Sequence, residues 1–140
     1  MTYFHDLTPY AYGRHSHLGV VHVGWLDDTH AFAQGTVATA LIEKMRLLAT
    51  KPVELYRGKH VCELCPEPNF PKVTPAPHHL VLDSNSLYGK WLDSRSSNGE
   101  IRVSSGGITF AAPVLIVHYI EEHRYLPPSD FLKAVDEAVC

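Results

Sequence analysis

The sequence is short of positive charge. Its 12 lysines and arginines are outnumbered by 15 aspartates and glutamates, for a formal charge of -3. Neutralising a series of phosphates takes a clustered cationic surface, and no run of lysine and arginine supplies one, so nucleic acid is not expected as a partner. Long apolar runs are missing too: nothing approaches the roughly 20 residues that cross a bilayer, which argues against a membrane partner. The opening residues Met1 to Asp6 carry neither the positive start nor the apolar stretch of a secretory signal, and this points to the cytoplasm. Cysteine is scarce, with three in all. An odd set does not make a disulfide framework, and in a reducing compartment a Cys-x-x-Cys pair reads as a metal knuckle or a redox pair.

What is present fits one compact domain. The hydrophobic share of 45% over 140 residues is enough for a single core spanning 1–140. A chain of this length buries roughly two thirds of its unfolded surface, so it has no obligate need of a metal and any metal must be argued from ligands. Ten histidines are spread along the chain. Residues 66 to 79 hold five prolines and residues 83 to 99 are polar and glycine-containing, so 66–99 is expected to be a loop excursion.

The chemistry centres on Cys62 and Cys65, three residues apart in a turn that follows Gly58, with His60 just before them. Thiolates are soft charged ligands for tetrahedral Zn(II), and two intervening residues let both sulfurs reach one ion. Against a redox pair, no helix pattern begins at Cys62 to lower a thiol pKa, and Pro66 and Pro68 continue as loop. One knuckle is half a site. His78 and His79 stand at a finger-like interval from Cys65, but the strand-like Leu80 to Leu82 follows where a helix should deliver another ligand.

The surrounding elements set what else can reach the knuckle. The first 19 residues read as an extended segment whose aromatic side chains pack onto the domain, and Val20 to Leu26 reads as a strand with His22 packed inside it. Thr36 is placed to cap a helix to Ala49, with Val37, Leu41, Met45 and Leu48 on one side, stopped by Pro52. Val53 to Tyr56 reads as a strand leading into the knuckle. Glu100 to Ser104 and Ile108 to Phe110 flank Gly106 and Gly107, the signature of a hairpin. Glu100 and Arg102 share a face there. They suit a solvated ion pair, while Glu100 is also the candidate general base or partner of a metal-bound histidine. Pro113 is placed to open a helix through His123, on which His118 shares a face with Leu115 and Glu122. A final helix is expected after Ser129, with Phe131, Leu132, Val135 and Val139 as its packing stripe.

The fold class expected is therefore α+β: a hairpin or short antiparallel sheet with about three helices. Knuckle, hairpin and helix follow in the order by which treble-clef sites bring their last ligands to zinc. That order makes His118 the third ligand, with His60 completing the set Cys62, Cys65, His118 and His60. His123 is the alternative to His60, although a histidine at a helix C-terminus also complements the dipole.

The motifs running from Tyr3 and Phe4 through Asp6, Leu7, Thr8, Pro9 and Tyr10, then Val23 to Leu26, Arg57 to Cys65, Asn98 to Val103, and Ala112 to Pro128 resemble a family of small bacterial proteins of unknown function. The resemblance covers most of the chain and brings no mechanism. Relative to that family the segment between Cys65 and Asn98 is long, which places His78 and His79 in an insertion. Two functions remain: a zinc-binding accessory or interaction module with a protein or small-molecule partner, or a small enzyme whose open zinc site activates water or substrate. A thiol enzyme using Cys62 with a histidine base is a third.

Overall fold

The structure, a computed structural model, describes residues 3–11, 19–53, 60–65 and 96–138, with the backbone alone at His60. Among these the strands are β1 (Val20–His22), β2 (His60–Val61), β3 (Ser96–Ser97), β4 (Glu100–Ser105) and β5 (Ile108–Pro113). The helices are α1 (Thr39–Ala49), α2 (Ile116–His123) and α3 (Ser129–Glu137). The class is α+β, as expected.

The hairpin forms where the glycines demand it. Ser105 pairs with Ile108 across Gly106 and Gly107, whose φ angles of 60° and 82° are the two positive values of a type I′ turn. The sheet is not purely antiparallel as expected: β1 lies parallel to β5, giving the mixed order β1-β5-β4. β1 is also shorter than the apolar run implied. Gly24 takes a φ of 78°, and a Cβ there would stand 2.9 Å from two carbons of Ile116, so the chain bends past α2 instead of extending. The N-terminal segment runs back along β1, with Tyr10 N–H donating to Val20 O at 2.9 Å and Phe4 N–H to Trp25 O at 3.2 Å. Its aromatic packing matches expectation for the described part, since Phe4 stacks on His22 and Tyr10 is buried.

Three boundaries differ from the sequence reading for physical reasons. Thr36 does not cap α1. Gly35 N–H donates to Arg124 O and Leu126 N–H to Ala33 O, which holds residues 33–35 extended until Val37 is buried and the helix starts at Thr39. Pro113 ends β5 rather than opening a helix, because β1 stops opposite Ala111 and the sheet is two-stranded beyond it. Ser129 is the first residue of α3, and the extended Pro128 takes the cap position. Val139 lies outside the described residues. The expected strand at Val53 is a single bridge to Glu100, and residues 54–56 lie outside the described residues. Ser96–Ser97, assigned to the loop excursion, pair with His60–Val61.

Burial of Met45, Tyr119, Tyr125 and Phe131 defines the main core, and Trp25 is buried in a second cluster with Tyr10, Val20 and Ala111. α3 packs on β4 and α1, and α1 also packs on α2, so the three helices close one side of the hairpin. This fixes α2, which carries two of the four groups described next.

Candidate metal centre

The knuckle begins as β2 ends. Cys62 is 3% exposed, and the chain bends through residues 63–65 so that backbone N–H groups of Leu64 and Cys65 donate to the Cys62 sulfur. Leu64 and Cys65 pack against the main core, which turns the second thiol inward beside the first.

From the other side, α2 presents His118 and His123. Ile116, Val117, Tyr119 and Ile120 are buried, which sets the rotation of the helix and leaves His118 half-buried at its margin. His123 is the last helical residue, and Arg124 follows in the left-handed conformation with a φ of 57°. Five residues advance about 140° beyond a full turn, so the two histidines do not share a face of a regular helix. The position of His123 at the helix end is what lets its ring reach the same point.

The four side chains converge. One ligand atom from each of Cys62, Cys65, His118 and His123 lies within 4.8 Å of all the others. His123 Nε2 is 3.3 Å from both sulfurs, and His118 Nε2 is 3.2 Å from Cys65 Sγ. For a tetrahedral ion with bonds of about 2.3 Å to sulfur and about 2.0–2.1 Å to nitrogen, S···N edges of about 3.5 Å are required. The observed edges are only about 0.2–0.3 Å shorter than that geometry. Such a group can hold a metal ion.

Burial dominates the electrostatics of the site. It pushes the Cys62 thiol up to about 11, outweighing the Leu64 and Cys65 N–H groups that favour the thiolate. Tyr119 is likewise pushed up, by burial first and then by the charges of Cys62, Glu63 and Cys65. A divalent ion held by Cys62 and Cys65 would reverse this balance and favour the thiolates.

The other sequence candidates are placed as follows. His60 lies in β2 with its backbone paired to Ser97, and its side chain is outside the described residues. His78 and His79 are outside them as well. Glu100 is fully buried: it accepts from Tyr10 Oη at 2.6 Å on one oxygen and from Arg102 Nε at 2.9 Å on the other. The expectation of a solvated pair is therefore corrected, because the backbone bridge from Val53 to Glu100 and the ring of Tyr10 cover it. His123 was legible as a ligand from the interval Cys-x2-Cys to His-x4-His, which lies within the range of finger-type zinc sites.

The family model described as a domain of unknown function, DUF7919, matches residues 2–136. The chain belongs to this family. No curated protein and no solved structure matches the DUF7919 chain. No helix of the described residues is long and apolar enough to cross a membrane.

Proposed function

We propose that this DUF7919 protein is a zinc-binding module in which Cys62, Cys65, His118 and His123 close on one ion, and that it serves as an accessory or interaction domain. The observation that carries the reading is the convergence of two thiols and two imidazoles within 4.8 Å. Mixed sulfur and nitrogen donors suit a borderline-soft ion without redox chemistry, and four protein ligands fill a tetrahedron. A filled tetrahedron leaves no position for water or substrate. The reading belongs to a reducing compartment such as the cytoplasm, where thiols persist.

Purified without a tag and under reducing conditions, the protein should carry one zinc per chain, and Cys62→Ser should lose the ion together with folded stability. A metal-free, fully folded protein by elemental analysis overturns the proposal.

One observation supports the enzyme alternative. His118 also lines a cleft of about 280 Å³ with Ser96, Ser97, Glu121, Glu122 and Arg46, and the hydroxyls of both serines are buried without a hydrogen-bond partner among the described residues. A substrate at an open zinc site would lie there. Cobalt-substituted protein titrated with cyanide separates the two: an unchanged visible spectrum fits the closed module, and a new spectrum supports the open site.

A further inference from the structure

A second cleft, of about 300 Å³, lies between the N-terminal segment and residues 31–33, and none of the four metal-group residues lines it. It is lined by the aromatic residues Tyr3, Phe4 and Phe32, by Leu26, His5 and two alanines, and by Asp6. The volume is at the lower end for small-molecule sites, of which roughly 300–1,000 Å³ is typical.

Its charge is one-sided. Asp6 Oδ1 accepts from Gly24 N–H at 3.0 Å and Oδ2 from Tyr125 Oη at 2.7 Å. These neutral donors fix the carboxylate without neutralising it, and no lysine or arginine among the described residues pairs with Asp6 or lines the cleft. The same field is felt at Tyr3, whose phenol is pushed up by burial and then by Asp6 and Asp27. Two of the rings are held by stacking, Tyr3 on His30 and Phe4 on His22, each at 3.8 Å. Aromatic faces carry negative potential and attract cations within about 6 Å of the ring centroid.

We propose that this cleft binds a small organic cation, an alkyl- or methyl-substituted ammonium, between the carboxylate of Asp6 and the rings of Tyr3, Phe4 and Phe32. Leu26 and the alanines receive the alkyl groups. A bare inorganic cation is a poorer match, because calcium or magnesium wants about six oxygen ligands and the wall is mostly apolar.

The test is a nitrogen-resolved NMR titration of the protein as purified, with tetramethylammonium, with choline, and with the neutral alcohol in which carbon replaces the choline nitrogen. Both ammonium ions should shift the amides of residues 3–6 and 31–33 saturably, with the alcohol about tenfold weaker. Asp6→Asn should weaken choline by about the same factor. Because Asp6 also holds Gly24 and Tyr125, Tyr3→Leu provides a second variant that leaves those bonds intact and should weaken binding several-fold. Equal binding of the alcohol and choline, or amides that do not move with either ammonium ion, overturns the proposal.

Discussion

Replacing His123 by alanine removes the one imidazole nitrogen that stands 3.3 Å from both sulfurs. Structural zinc in small domains contributes about 10–16 kcal/mol, so one of four ligands carries on the order of 2.5–4 kcal/mol. At about 1.4 kcal/mol per factor of ten, His123→Ala should weaken zinc by roughly 10²–10³. Losing a favourable charge at the helix C-terminus costs only about 0.3–1 kcal/mol, so a merely dipolar role for His123 predicts a far smaller effect. Competition against a chromophoric chelator at fixed pH reads the affinity directly, and thermal melting should fall by roughly 10 °C for a chain of this size. The matched control is His60→Ala, which should leave zinc affinity within about threefold. Wild-type affinity in His123→Ala, or an equal loss in His60→Ala, would refute the assignment of the fourth ligand.

Glu100→Ala should destabilise the fold by about 3–5 kcal/mol, by stranding Arg102 and Tyr10, while zinc stoichiometry in the folded fraction stays at one; loss of the ion before unfolding would place Glu100 in the metal's support instead. Burial, and then Arg102, hold His22 down to about 4 against its usual 6.5, and its Nε2 accepts the Ala11 N–H at 2.9 Å. The unfolded chain takes up the proton first as pH falls, so this contribution is complete above pH 6.5 and is lost towards pH 4, amounting to about 3 kcal/mol. His22→Phe should flatten that part of the denaturation profile at a neutral-pH cost of about 1 kcal/mol, and parallel profiles for the two proteins would refute it. Gly24→Ala combines a left-handed backbone with contacts of 2.9 Å to Ile116, for a loss of about 2–5 kcal/mol read as a lower denaturant midpoint at unchanged slope.

Local signals carried much of the fold into the sequence. Gly106 and Gly107 between alternating strands can make little else than the observed turn, and the apolar spacing of Leu41, Met45 and Leu48 placed α1 correctly over most of its length. The errors sit where distant chain overrides a local preference. Nothing near Thr36 announces that residues 33–35 will be held extended by Arg124 and Leu126, and nothing near Val20 reveals a parallel neighbour some 90 residues on. The candidate site divides the same way. The two thiols announce themselves by spacing, and His118 by lying on an apolar helix. His123 gives a mixed signal: it stands at a finger-type interval from His118, but a regular α-helix turns positions 118 and 123 to different faces, and its place at the last turn is what brings the ring across.

An ion at this centre would also be a cross-link. The ligand pairs Cys65 with His118 and Cys62 with His123 are separated by 53 and 61 residues. By analogy with a disulfide, closing a ring of that size removes unfolded-state entropy worth about 4 kcal/mol. The dependence on ring size is logarithmic: doubling the enclosed chain changes the balance by only about 0.6 kcal/mol. Chain added between Cys65 and Ser96 therefore meets little thermodynamic resistance so long as both ends still reach the ion.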